Sequence, residues 1–455
     1  MKQFGYRAFT AVFLLLCLIP SVGMLLPERQ EAGSNEVLAS LPALRDGEGR
    51  LNAAYLTQLA DYAEDSFYLR QDLVTAWSAL NQRALRTSIA DNVLLGRDGW
   101  LYFGDTLDDY IGRNTLSDRE IAAAAHNLAL AAEYCRGQGA AFLFTVAPNK
   151  NSLYPQHMPD LPVFSGRRNA DALAKALAEE GVAYYDLFAA LGAQEETLYF
   201  TQDSHWNSKG AALAADGINA ALGRQSGYFA GPFQPEDVHR SDLYAMLYPT
   251  GTWLETDWRY AGELAFAYES PIRSENDLNI RTAGGGTGSL LMFRDSFGIL
   301  LYPYLADSFA SAQFSRAAAY RLDQIAAREA DYVVVELVER NIRYLLENVP
   351  VMPAPLREGP EDAAALDGSV TLAAEADQTL PGHVLVRGTL PAAPDGELYL
   401  RTAEGDYEAF RLEADGFGLY VPEAALTGEL SLVYRVDGGA VRMPAAWDGS
   451  AELPG

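Results

Sequence analysis

Apolar positions follow two rhythms along this chain. Ile121 to Arg136 is an alanine-rich run of helical spacing that stops at Gly137 and Gly139, and Ala140 to Val146 is apolar except for Thr145 until Pro148-Asn149-Lys150 closes it. The alternation continues with a helix over 169–180 ended by Gly181, a strand over 182–187 and a helix over 208–222. It resumes with a strand over 289–293 behind Gly284-Gly285-Gly286, a weaker strand over 310–314, a helix over 322–330 and the apolar strand 332–338. Strands that are apolar on both faces and set between helices predict a parallel sheet covered on both sides, an α/β fold. The stretch 225–285 is aromatic and irregular and reads as an insertion.

The flanks differ. Phe9 to Leu26 carries no charge, and its eighteen residues would span about 27 Å as a helix, enough to cross a bilayer core. Lys2 and Arg7 precede this run, and Glu28, Glu31 and Glu36 follow it. The positive-inside rule therefore predicts a single-pass anchor over 1–27 at the cell membrane, with everything after it extracytoplasmic. A cleaved signal peptide is the rival reading; no small-x-small site directly follows the run. Residues 28–90 read as a polar stalk and an amphipathic helix, about 52–86, with Tyr55, Leu59, Tyr62, Phe67, Leu73, Trp77 and Leu80 at helical spacing. Asp98-Gly99 is a turn feeding an aromatic strand. Pro350, Pro353, Pro355 and Pro360 predict a stiff linker over 349–365, and short alternating runs divided by Gly/Asp turns predict a β-sandwich module over 366–455.

Composition narrows the partners. The 61 acidic residues outnumber the 34 basic ones, for a net charge of -27. A surface that negative repels phosphate backbones, which argues against nucleic acid as a partner. Two cysteines, Cys17 and Cys135, and no Cys/His cluster leave neither a disulfide framework nor a zinc site.

Two short segments carry candidate chemistry. Asp203-Ser204-His205-Trp206-Asn207 is a polar loop running into a helix, and Arg294-Asp295-Ser296-Phe297-Gly298 follows the apolar strand 289–293. In open α/β sheets, functional groups collect outside the carboxyl ends of the strands. A serine nucleophile needs an imidazole to take its proton, and the imidazole needs a carboxylate to fix its tautomer. Ser296, His205 and Asp203 supply that set. Each also has a plainer reading, Ser296 as a helix cap and Asp203 as a turn residue. Of the five histidines, only His205 has both an adjacent carboxylate and a place behind a sheet strand. A Gly-x-Ser-x-Gly elbow is absent, which argues against the α/β-hydrolase fold proper.

The order of these segments resembles the SGNH esterase superfamily in circularly permuted form. Phe142-Leu143-Phe144-Thr145-Val146, Tyr184-Tyr185-Asp186-Leu187, Asp203-x-His205 and Gly210-Ala211 come first, and Asp295-Ser296 and Asp331-Tyr332-Val333 follow. That arrangement is similar to the alginate O-acetyltransferase family and the related extracellular DHHW proteins, over roughly residues 1–345. Arg97 to Tyr102, Pro148-Asn149-Lys150, Tyr154-Pro155, Asp242-Leu243 and Glu339-Arg340 look like further recurring stretches of that family. Two departures stand out. Arg294 occupies a place where many relatives have glycine, and the Asn-containing oxyanion block is missing; its position falls on 338–341, so Arg340 or Asn341 would substitute.

The resemblance implies a catalytic domain over 91–348 that transfers acetyl groups to a cell-surface or secreted polysaccharide through acyl-Ser296. His205 would be the base and Asp203 its orienter. The N–H groups near Phe297 would stabilise the oxyanion, and Lys150, Trp206 and Tyr154 are candidates on the substrate side, with solvation or packing as their plainer roles. A membrane-bound acyltransferase partner would supply the acetyl group, and the reaction needs neither metal nor cofactor. Two alternatives remain: a polysaccharide O-acetyl esterase using the same triad, and a noncatalytic polysaccharide-binding or assembly protein on this fold. A Ser296 Oγ to His205 distance of about 3 Å opposes the noncatalytic reading.

Overall fold

The computed structural model describes residues 2–23, 38–375, 379–436 and 438–448. Its centre is a sheet of seven strands: β1 (Ala141–Ala147), β2 (Tyr184–Tyr185), β3 (Phe266–Tyr268), β4 (Asn279–Gly284), β5 (Ser289–Phe293), β6 (Ser311–Ser315) and β7 (Tyr332–Val338). They lie in the order β2-β1-β7-β5-β6-β4-β3. From β2 to β6 neighbouring strands are parallel, and β4 and β3 add antiparallel at one edge. The aromatic stretch 225–285 is thus no separate insertion, because its second half completes the sheet.

Alternate side chains of the central strands feed two apolar layers. Phe142, Phe144, Val333 and Val335 pack beneath the helices Asp118–Gly137 and Asn169–Glu179. Leu143, Val334, Leu290 and Met292 pack beneath Ser208–Ala221 and Gly298–Ser308. Each such buried side chain contributes about 1.5–3 kcal/mol. Helix Asp118–Gly137 starts where Ser117 and Glu120 form a reciprocal capping box. In the small hairpin Val93–Leu95/Leu101–Phe103, Asp98 and Gly99 both take positive φ, 55° and 81°, as a tight two-residue turn requires.

The C-terminal β-rich region is one sheet rather than two stacked ones. Its hydrogen-bonded path runs from Leu356–Arg357 and Asp406–Glu408 at one end to Gly416–Pro422 and Phe410–Arg411 at the other. Only Ala409 separates the strands near opposite ends, so the sheet rolls up on itself. The proline-rich segment expected as a tether is partly buried: Val349, Val351 and Met352 share a core with Leu128, Phe410 and Tyr420. Asn127 pins this junction, its amide nitrogen donating to Leu345 O at 3.1 Å and Arg411 O at 2.8 Å while its oxygen accepts from Arg411 N at 3.1 Å.

The N-terminal apolar run forms the helix Lys2–Gly23, and the described side chains between Phe9 and Val22 are exposed. The rest of the run and the start of the stalk, 24–37, lie outside the described residues. Among the described residues no helix is long and apolar enough to cross a membrane. The expected amphipathic helix divides into Tyr55–Ser66 and Arg70–Leu85. The second buries Gln71, Ser78 and Asn81 and leaves Leu73, Trp77 and Leu80 exposed, the reverse of the expected facing.

Candidate active site

The carboxyl ends of β1, β5 and β7 open on the same edge of the sheet, and each delivers part of one cluster. After β5 the chain turns through Arg294-Asp295-Ser296 into helix Gly298–Ser308. Asp203 and His205 sit at the tip of a loop closed at its base by Asn207 N–Leu198 O, 2.9 Å, and Phe200 N–His205 O, 3.2 Å. Asn207 then caps helix Ser208–Ala221 by accepting from Gly210 N at 3.0 Å.

Ser296, His205 and Asp203 meet in a relay. The Ser296 hydroxyl donates to His205 Nε2 at 2.9 Å, and His205 Nδ1 donates to Asp203 Oδ1 at 2.7 Å. Asp203 is 3% exposed and His205 and Ser296 are half-buried, so solvent reaches the nucleophile and not the orienter. Burial pushes the Asp203 carboxyl up, but the imidazoles of His205 and His239 outweigh it and hold the group well below the usual carboxylate range. His205 itself is pulled down by burial and raised further by Asp203 and Asp242, ending above the ordinary imidazole value.

Four residues brace the loop from behind. His239 Nε2 donates to Asp203 Oδ2 at 2.8 Å, and Asp242 N donates to the same oxygen at 2.8 Å. The Asp242 carboxylate accepts from Ser204 N at 2.9 Å and Ser204 Oγ at 2.6 Å, and its Oδ2 lies 3.6 Å from His205 Nδ1. Glu255 takes the Thr201 hydroxyl at 2.6 Å and the Ser241 hydroxyl at 2.6 Å. Lys150, 3% exposed, donates to the carbonyls of Phe200, Thr201 and Asp203 at 3.1, 3.0 and 2.5 Å. Burial pulls its ammonium down to about 8, against the opposing pull of Asp203, Asp242 and Glu255. Lys150 is therefore a buried strut, not a substrate ligand.

On the nucleophile side, Asp295 ties the turn to the sheet: its carboxylate accepts from Phe297 N at 2.9 Å and Val338 N at 2.6 Å. The Phe297 N–H is thereby occupied, which removes it as the expected oxyanion donor. Among the described residues the Ser296 N–H and the Arg340 guanidinium have no hydrogen-bond acceptor. Arg340 lies over the rings of Phe297, 5.8 Å, and Phe103, 5.2 Å. Asn341 makes no hydrogen bond to the triad. Arg294, in the place expected for glycine, points away from the site and donates to Glu275 O at 2.6 Å. It forces glycine at 298, where a Cβ would come 2.4 Å from Arg294 Cδ. Trp206 is fully buried, donates to Phe297 O at 3.1 Å and packs edge-on against the Phe297 ring, so it supports the turn rather than meeting substrate. Tyr154 likewise serves the framework: its hydroxyl accepts from Leu198 N at 2.9 Å and its ring packs on Trp100.

Asp203, His205 and Asp242 place potential metal-ligand atoms within 4.8 Å of one another, but hydrogen bonds within the cluster already engage those atoms. A cleft of about 900 Å³ lined by Leu346, Arg387, Thr389 and Phe417 lies at the β-rich region and contains no triad residue.

A serine–histidine–aspartate relay at the carboxyl edge of a parallel sheet defines the class of the site. Residues 93–247 match the family described as SGNH hydrolase-like domain, acetyltransferase AlgX. Residues 93–247 are thus similar to an SGNH hydrolase-like domain, and a C-terminal β-rich region lies beyond the α/β sheet. The chain is similar to a probable alginate O-acetylase AlgJ of Pseudomonas syringae pv. tomato, 26% identical over 181 residues, covering 39% of this chain and 44% of that one. The protein of the same description from Pseudomonas fluorescens is 22% identical over 210 residues, covering 43% and 51%. The chain spans about half the length of these curated relatives. A solved DHHW family protein from Eubacterium siraeum aligns with a TM-score of 0.42 and 15% identity, over 57% of this chain and 99% of its own.

Proposed function

We propose that this protein is an O-acetyltransferase that loads an acetyl group onto Ser296 and passes it to a polysaccharide hydroxyl. The observation that carries this reading is the continuous relay, 2.9 Å from Ser296 to His205 and 2.7 Å from His205 to Asp203. His205 Nε2 takes the serine proton as Oγ attacks the donor carbonyl, then returns it to the leaving group as the first tetrahedral intermediate collapses. A sugar hydroxyl next attacks acetyl-Ser296, giving its proton to His205; collapse releases the acetylated sugar and reprotonates Ser296. The Ser296 N–H and Arg340 replace the expected Phe297 donor at the oxyanion.

The names of the relatives support a polysaccharide acceptor and make alginate the first one to try. The exposed apolar side chains of helix Lys2–Gly23 support membrane anchoring with the site outside the cytoplasm. A membrane-bound acyltransferase then delivers the acetyl group from inside. The test incubates the full chain with a small acetyl ester and follows intact mass, then adds glycan. A single acetyl on Ser296 that moves to glycan supports the transferase; quantitative release as acetate with glycan present supports the esterase. No adduct on wild type, or the same adduct on Ser296→Ala, ends the enzyme reading.

A further inference from the structure

Asp203 accepts four hydrogen bonds, and two come from outside the relay: the Asp242 backbone N–H and the side chain of His239. His239 ends the first strand of the hairpin Phe233–His239/Glu255–Tyr260, where the register slips: Asp237 pairs with Thr256 and His239 with Glu255. Val238 is the extra residue of this bulge and is 58% exposed. A bulge re-aims the side chains beside it. Here it turns His239 onto the catalytic loop, its ring flat on Phe200 with centroids 3.8 Å apart and planes 3° from parallel.

We propose that His239 is a positioning residue: it holds Oδ2 of Asp203 and, by sharing that carboxylate's single charge with His205, sets the pH at which His205 ceases to act as a base. The inference rests on the triad reading above. One carboxylate between two imidazoles compensates one positive charge well and a second poorly. A proton held on His239 therefore weakens the affinity of His205 for its own proton and keeps His205 available to lower pH. The charged groups facing His239 are Asp203, Glu255 and Asp257. Asp242 adjoins it through their shared contact with Asp203 Oδ2, and Lys150 lies behind Asp203. Burial pulls the His239 imidazole down, and Asp203 leads the acidic groups that raise it above the ordinary value.

The test compares wild type, His239→Gln and His239→Ala as full-length chains. Glutamine offers an N–H donor without titrating. Imidazole NMR of the histidine-labelled protein follows His205, assigned by its loss in His205→Gln. In His239→Gln the His205 midpoint should rise by about half a pH unit or more. The acid limb of acetyl-Ser296 formation should rise with it, while the plateau rate stays within about threefold. In His239→Ala the plateau kcat should fall about tenfold with KM for the small ester unchanged. A His205 midpoint in His239→Gln that superimposes on wild type overturns the proposal, and so does a His239→Ala kcat within about twofold of wild type. If wild type never forms acetyl-Ser296, the proposed function falls, and the His205 titration alone still decides the role of His239.

Discussion

Asp203 is 3% exposed and accepts four hydrogen bonds, whereas Ser296, across the same imidazole, is half-buried and its backbone N–H has no acceptor among the described residues. Behind Asp203 stand a buried lysine bonded to three carbonyls, a second carboxylate and a second histidine. On the other side are the Ser296 N–H and, 5.8 Å from the ring centroid of neighbouring Phe297, the guanidinium of Arg340. Under the proposed mechanism the base is fixed before substrate arrives, and the hydrogen-bonding capacity on the Ser296 side is left for it. Preorganised donors aimed at developing charge are worth most when they have nothing else to hold.

The largest break in this comparison removes the relay itself. Ser296→Ala and His205→Ala should each lower acetyl transfer by about 10⁴-fold or more, and the double variant should be little worse than either single one, since the residues act as a unit. Single-turnover acylation by a small ester measures both. Losses that multiply would mean the two residues work independently. The rigid side breaks next. Lys150→Met strips the buried carbonyls of Phe200 and Asp203 of their donor, leaves Thr201 O with Leu101 N alone, and should cost about 3–5 kcal/mol of stability, read from urea unfolding with acylation rate measured on the folded fraction. Stability within about 1 kcal/mol of wild type would show that the loop does not depend on this strut.

The relay was legible because its parts are local. The strands 289–293 and 332–338 have the boundaries their patterns predict, Ser296 falls in the turn after the first of them, and Asp203-x-His205 falls in the loop just before helix Ser208–Ala221. The bracing was not legible. His239 reaches Asp203 only through a register slip in a hairpin, and Lys150 is charged yet buried because three carbonyls converge on it. β3 is a three-residue edge strand with Ala267 and Tyr268 exposed, and β4 alternates buried Ile280 and Thr282 with exposed residues, so neither shows the continuous apolar run that marks a central strand. The facing of helix Arg70–Leu85 misled the reading for a different reason: hydrophobic period locates a stripe without saying what covers it.

The open side can be tested more gently. Arg340→Ala should lower kcat by about 10–100-fold with little change in KM for a small ester, because the guanidinium is asked to bind charge that exists only in the tetrahedral state. Arg340→Lys should recover part of the loss, since it keeps the charge and gives up the fork. An equal rise in KM with kcat unchanged would instead assign Arg340 to ground-state binding.

The smallest expected effect joins the two sides through pH. His205 must be neutral to accept the Ser296 proton, and Asp203 and Asp242 raise its affinity for its own proton against the opposing pull of burial. Activity should therefore fall away on the acid side at a pH above the ordinary imidazole value of about 6.5. The same shift links to stability with a definite sign. A histidine whose proton is held more tightly in the folded state adds stability that is fully present below its unfolded value and is lost as pH rises through its folded one. Asp242→Asn keeps the backbone N–H that bonds Asp203 and removes the carboxylate 3.6 Å from His205 Nδ1. It should move the acid limb of kcat/KM down by a few tenths of a pH unit, with the plateau within about threefold. An unmoved limb would leave Asp203 as the acidic group that sets the His205 proton and confine Asp242 to holding Ser204.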